Sequence, residues 1–299
     1  MGASAVSLSL GGSSRRWRWR WRARVALGLA ATCLGTTLGL PAPAVAAGSP
    51  GRSSVTVITL PSRDEGRSRR SVWVYRPATA DSASLPVLYL LHGQAGHPED
   101  PFSMGLQRTL DEQFAHGWRP FVVAVPQGGS AVRGDDEWGN AADGSDRLES
   151  FVTGDVVRAV EGAARRDRAH RAIAGFSMGG YAAAYDAALH RDTYGQVVSL
   201  AGYFRVDDPE GVWGGERSVE DRHYPLHHPD WLNRTRVLLL DSDHETEPVV
   251  AGQLTAFRRA LSDAGHPPGA RVTPGSHDWT WVSAQWPLVV RFLSQGWGS

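Results

Sequence analysis

Cysteine occurs once in this chain of 299 residues, as Cys33. That position lies inside an N-terminal apolar stretch that reads as a removable leader, so the mature chain has no thiol for a disulfide or a thiolate zinc site. Because Cys33 sits within the stretch and not at its end, lipid attachment there is not expected. Lysine is missing entirely; all 31 basic residues are arginine, a bias that carries no functional reading. The nominal net charge is zero, and even this overstates the positive side. Arg15, Arg16, Arg18, Arg20, Arg22 and Arg24 belong to the leader; without these six, 25 basic residues face 31 acidic ones, a net of −6. A mildly acidic chain argues against a nucleic-acid partner, which needs a basic face. No internal repeat is present. The one long apolar stretch, Val25 to Leu40, is short for a membrane span and is broken by Gly28, Gly35 and Gly39.

What is present begins with the leader. Residues 1–47 combine an arginine-rich start, the apolar stretch, Pro41-Ala42-Pro43 and the small-residue site Ala44-Val45-Ala46, which is the pattern of an export signal. Arg15-Arg16 after Ser13-Ser14 is similar to a twin-arginine signal, whereas the Trp-Arg alternation that follows departs from one, so Sec and twin-arginine export both stay open. The protein is expected to be secreted or held in the cell envelope, with no stable membrane span after signal removal. Residues 48–54 read as a polar linker. Residues 55–299 form the expected catalytic domain, long enough to bury a sizeable core.

Val55 to Leu60 and Ser71 to Arg76 read as an antiparallel hairpin joined by the charged turn Ser62 to Arg70. Compact apolar runs follow at Pro86 to Leu91, Phe121 to Val125, Arg171 to Ala174, Gln196 to Ala201 and Val237 to Leu240, with a short Arg271 to Thr273 last. Such runs are strands covered on both faces. Helical patterns separate them: Leu106, Leu110 and Phe114; Tyr181 to Leu189; Val250, Leu254, Phe257 and Leu261 with Gly265 as the stop; and Ser283 to Leu293. Asp146 and Glu149 have capping-box spacing ahead of a helix carrying Val156, Val157 and Val160. The glycine-rich acidic loop Pro126 to Gly144 and the segment Gly202 to Arg234 show no period. The alternation predicts an α/β fold: a mainly parallel, doubly wound sheet behind an antiparallel hairpin, with active groups beyond the carboxyl ends of the strands.

Gly175-Phe176-Ser177-Met178-Gly179 stands between the Arg171 strand and the Tyr181 helix, and no other serine has a G-x-S-x-G setting. Small residues two before and two after the serine let the chain turn sharply, lifting the hydroxyl above the sheet at a helix N-terminus that favours negative charge. Ser177 is therefore the candidate nucleophile. Its hydroxyl needs an imidazole within hydrogen-bond reach, and the imidazole needs a carboxylate to fix its tautomer. His277, in the glycine-bounded loop Gly275-Ser276-His277-Asp278-Trp279, is the candidate base, with His266 as the fallback. For the acid, Asp241, Asp243, Glu245 and Glu247 crowd the loop after the Val237 strand. Glu245 lies far enough out to turn back toward the histidine, and Asp243 is the alternative. Backbone N–H groups of Met178 and Gln94 are the candidate oxyanion donors. His244 has no second histidine at ligand spacing, so neither a metal nor a cofactor is expected.

Four segments together resemble the putative-esterase family, which includes esterase D, feruloyl esterases and secreted mycolyltransferases. They are Leu90-Leu91-His92-Gly93; Val125-Pro126-Gln127-Gly128-Gly129 followed by Glu137-Trp138; Gly175-Phe176-Ser177-Met178-Gly179-Gly180; and Gly275-Ser276-His277-Asp278-Trp279. The likeness runs from about residue 55 to the C-terminus. It implies an α/β-hydrolase fold without a large cap domain, an acyl-enzyme on Ser177, and the roles given above for Met178, Gln94, Glu245 and His277. The chain departs from the mycolyltransferase pattern, which resembles Asp-Gly-Leu-Arg where His92-Gly93-Gln94-Ala95 stands here. A secreted serine esterase acting on a small-molecule, lipid or glycan ester is the expected function. The alternatives are an exported acyltransferase acting on cell-envelope sugars or lipids, and a non-catalytic binding protein on the same fold.

Overall fold

The structure is a computed structural model that describes residues 52–79, 82–133, 136–205 and 211–298. The export segment 1–47 and the linker up to residue 51 lie outside the described residues. Eight strands form one sheet: β1 (Ser54–Asp64), β2 (Arg67–Arg76), β3 (Val87–Leu91), β4 (Val122–Pro126), β5 (Arg171–Phe176), β6 (Gln196–Leu200), β7 (Arg236–His244) and β8 (Gly269–Ser276). Their spatial order is β1-β2-β4-β3-β5-β6-β7-β8. β1 and β2 are antiparallel and β2 meets β4 antiparallel, after which every neighbouring pair from β4 and β3 through to β8 is parallel. This is an α/β-hydrolase architecture, and no separate cap domain is inserted among the described residues.

Local sequence explains the layers. β3, β4, β5 and β6 are buried at every position, as continuous apolar runs between two helical layers must be. The edge strand β1 alternates between half-buried and exposed residues along most of its length. The helix Met178–Leu189 is buried at all but its last residue, and its alanines, Ala182, Ala183, Ala184, Ala187 and Ala188, let it lie close against the sheet. Trp279–Gly296 closes the chain, burying Trp281, Trp286, Val289, Val290 and Leu293.

Several boundaries differ from the sequence reading. The hairpin turn is not Ser62 to Arg70: both strands extend through those residues, leaving Glu65-Gly66 as the turn. β7 does not end at Leu240 but continues to His244, so Asp241 and Asp243 are strand residues and only Glu245 and Glu247 lie beyond. The reason is pairing, because β8 runs from Gly269 to Ser276 and holds this polar stretch in register through Thr273 and Ser276. The capping box at Asp146 and Glu149 does not form. Asp146 accepts from the Ser130 hydroxyl and Glu149 from His190, while the chain enters the helix with one π-helical turn, Phe151–Val156.

Candidate active site

The serine turn follows from two steric demands. A Cβ on Gly175 would stand 2.1 Å from the Gly179 carbonyl oxygen, and one on Gly179 would stand 2.3 Å from that of Leu91. Only bare backbone fits, so strand, turn and helix close on one another. Ser177 itself takes φ 56° and ψ −120°, a strained conformation for a residue with a side chain, fixed by Ser177 N–H donating to Leu200 O at 2.9 Å and Gly180 N–H donating to Ser177 O at 2.8 Å. The next residue, Met178, opens the helix, so its N–H has no intrahelical acceptor.

The imidazole of His277 reaches this turn from the residue that follows β8. Its ring lies 4.7 Å, centroid to centroid, from that of Phe176, the residue before the serine, and Trp279 packs on the same phenyl ring at 5.3 Å. Nδ1 of His277 is 2.7 Å from Oε2 of Glu245, and both side chains are largely buried. With Nδ1 so engaged, Nε2 is the ring nitrogen not committed to Glu245. Ser177 Oγ has no hydrogen-bond partner among the described residues.

The other acids of the cluster do different work. Asp243 Oδ1 accepts from Gly275 N–H at 3.0 Å and pairs with exposed His244, anchoring the strand that leads to His277. Glu247 and His244 stay exposed. Asp241 sits behind Glu245; burial, reinforced by the Glu245 charge, pushes its carboxyl up to about 6. His266 is not at the site: its two ring nitrogens meet the carbonyls of Ala264 and Pro229.

Opposite the imidazole, the loop after β3 passes directly under the serine: a Cβ on Gly93 would stand 3.2 Å from that of Ser177. Gln94 follows it and shares a cavity wall with Met178. What holds this loop is His92, buried to 1 % exposure. Nδ1 lies 2.8 Å from Gly93 O, Nε2 accepts from Gly128 N–H at 3.0 Å, and the indole of Trp138 donates to His92 O at 3.0 Å. One neutral tautomer satisfies both ring contacts, with the proton on Nδ1, and burial pulls the imidazole down to about 4.

The Gly128 loop is in turn clamped from the hairpin. Arg70, fully buried, donates to the carbonyls of Gln127, Gly128 and Gly129 at 3.0, 2.9 and 3.0 Å and pairs with Asp64 at 2.5 Å. Asp64 Oδ1 also takes the Arg147 N–H at 2.7 Å. Burial works against the Asp64 charge, but the Ser62 hydroxyl and the guanidinium outweigh it and hold the carboxyl below its ordinary value. Sequence reading passed over Asp64 and Arg70, whose only signal was a dense charge pattern in what looked like a solvated turn; Trp138 stood in a segment that carries the family resemblance but was given no role.

The backbone marks the same region. Among the described residues the non-glycine positions with positive φ are Ala95, Glu137, Trp138, Ser177 and Ala201, and four of them belong to the loop under the serine, its Trp138 support and the serine turn itself. Strain of this kind persists where surrounding contacts over-determine it. Glu137 is held by the Tyr203 hydroxyl at 2.5 Å and by its own carbonyl, which accepts from Tyr185. No group of three or more metal-ligating side chains occurs among the described residues, and none of their helices is long and apolar enough to cross a membrane.

Comparison with known proteins points to an esterase family. The sequence model described as putative esterase matches residues 65–289. Esterase Rv1288 of Mycobacterium tuberculosis H37Rv is 30% identical over 236 residues; the match takes in 65% of this chain and 49% of that protein, so the chain spans about half the length of the curated relatives it matches. Similar solved structures include a ferulic acid esterase (23% identity, TM-score 0.71, 83% of this chain and 99% of that one) and an S-formylglutathione hydrolase from Agrobacterium tumefaciens (16%, 0.70, 85% and 99%). MPT51 (FbpC1) of Mycobacterium tuberculosis is a third (21%, 0.64, 81% and 98%). At these identities the structural likeness speaks for the fold.

Proposed function

The chain belongs to the putative-esterase family, and from that premise we propose that it is an exported serine esterase working through an acyl-enzyme on Ser177. The observation that carries the reading is the 2.7 Å contact of His277 Nδ1 with Glu245, on an imidazole packed against the residue next to Ser177. Ser177 Oγ attacks the ester carbonyl carbon while its proton passes to His277 Nε2, and Glu245 stabilises the imidazolium that results. The carbonyl oxygen becomes an oxyanion held by the N–H groups of Met178 and Gln94, each worth about 3 kcal/mol to the transition state. Collapse breaks the C–O bond, and the departing alkoxide takes the proton from Nε2. Water repeats the sequence on the acyl-enzyme, releasing the acid and restoring the serine. Export rests on the leader pattern of residues 1–47.

The test is active-site labelling with a fluorophosphonate probe alongside hydrolysis of 4-nitrophenyl acetate. Wild type is expected to be labelled and active, and Ser177→Ala to be neither. Equal labelling of both would overturn the assignment.

A further inference from the structure

Beside the serine turn, on the side of the oxyanion donors, lies a cavity of about 210 Å³ whose walls include Gln94, Met178, Gly128, Arg67, Arg133 and Asp136. Its charged groups differ in how they are engaged. Arg133 is committed: its guanidinium meets Asp143, Ser145 Oγ at 3.2 Å and the carbonyl of Gly211 at 3.3 Å. Asp136 is turned to its own loop, where Oδ1 accepts from Trp138 N–H at 2.9 Å. Arg70, behind the wall, is saturated by Asp64 and three carbonyls.

Arg67 is the exception. It is the first residue of β2, delivered to the cavity by the tight Glu65-Gly66 turn, and it is half-buried. Its guanidinium has no acidic partner and no hydrogen-bond acceptor among the described residues, and its Nε is out of contact with solvent. That N–H is closed to a ligand as well as to water; the terminal amino groups, which are not among the sealed atoms, are the part of the guanidinium a ligand can meet. The hairpin tip does not bend there for want of support. Glu65 N–H donates to Ser145 O at 2.6 Å and Gly66 packs on Ala131, so the arginine is presented by a fixed wall.

We infer that this cavity is a carboxylate subsite: Arg67 binds an anionic carboxylate carried by the ester substrate a few bonds from the carbonyl that Met178 and Gln94 hold. The inference rests on the esterase reading of Ser177 and adds the substrate class. A guanidinium suits the task because its planar fork pairs both oxygens of a carboxylate. The carboxylate can come from either half of the ester, the acyl group of a dicarboxylic acid half-ester or the released hydroxy acid, and both place the same anion in the cavity.

The experiment compares kcat/KM for two pairs of esters on the chain without its leader: mono-4-nitrophenyl glutarate against neutral 4-nitrophenyl butyrate, with the charge in the acyl half, and 4-acetoxybenzoate against neutral phenyl acetate, with the charge in the alcohol half. Wild type is expected to favour one charged ester over its neutral counterpart, and that preference to fall about 10- to 100-fold in Arg67→Gln, the size of one charge-assisted hydrogen-bonded pair. Arg67→Lys should recover part of it, and raised salt should erode it. Which of the two charged esters wins assigns the half of the substrate that carries the anion. Wild type showing no preference for either charged ester overturns the inference without the need of any variant, as does a preference that Arg67→Gln leaves intact. Failure of the esterase reading looks different: no ester would be turned over in a manner dependent on Ser177.

Discussion

Lowering the pH should unlock the loop under the serine, and His92 is the residue that makes it happen. In the folded protein its Nε2 accepts from Gly128 N–H, so a proton added there removes the contact and places a charge at 1 % exposure, with Gly128 and Trp138 closed around it. Burial sets the folded value at about 4, against 6.5 for a free histidine. The sign follows from linkage: between these values the unfolded chain binds a proton that the folded chain does not, so the contribution is fully present above 6.5 and is lost as pH falls toward 4. The loss is about 2 kcal/mol by pH 5 and about 3 kcal/mol by pH 4, a sizeable part of a typical stability of about 5–15 kcal/mol. The assay is urea unfolding of wild type and His92→Gln at pH 7 and pH 5. Glutamine keeps an acceptor for Gly128 N–H and does not titrate. The variant is expected to be the weaker protein at pH 7, with the gap to wild type shrinking by about 2 kcal/mol at pH 5. Other titrating groups act on both proteins and cancel in the difference. A gap that stays constant between the two pH values would refute the reasoning.

Replacing Glu245 by Gln keeps an acceptor near His277 Nδ1 but removes the charge, and kcat/KM on 4-nitrophenyl acetate should fall about 10³- to 10⁴-fold with unchanged folding by circular dichroism; Asp243→Asn should cost far less. Arg70→Met leaves the Asp64 carboxylate and three carbonyls without their donor and should destabilise by about 3–5 kcal/mol in urea, with the Asp64→Asn/Arg70→Met double variant recovering part of the loss. Gly175→Ala drives a Cβ into the Gly179 carbonyl and should cost about 3 kcal/mol or more, seen as a drop in Tm of roughly 6–12 °C.

Much of this architecture was readable because it rests on local rules. Continuous apolar runs announced β3 to β6, and the glycines around Ser177 announced a turn whose sterics admit nothing larger. Glu245 could be preferred to Asp243 as the partner of His277 because it lies far enough beyond its strand to turn back; that β7 and β8 are parallel neighbours, which sets the two loops side by side, is seen only in the structure. The reading lost its grip where pairing partners decide the conformation. The polar residues after Leu240 look like a loop until β8 holds them in register, and Asp146 with Glu149 look like a helix cap until Ser130 and His190 claim them. Arg70 is the sharpest case, since a cationic residue between Arg69 and Ser71 gives no sign that three distant carbonyls will enclose it.

The route by which Arg70 reaches those carbonyls bears on how the protein folds. Its contacts lie 57 to 59 residues away along the chain, and Asp64 grasps Arg147 across 83 residues. Joining segments so distant is slow, because the chain entropy is given up before any reward arrives. Pairing within the hairpin is local in sequence, but its docking against the Gly128 loop and Arg147 is not, so the support of the loop under Ser177 is completed only when segments 57 to 83 residues apart have met.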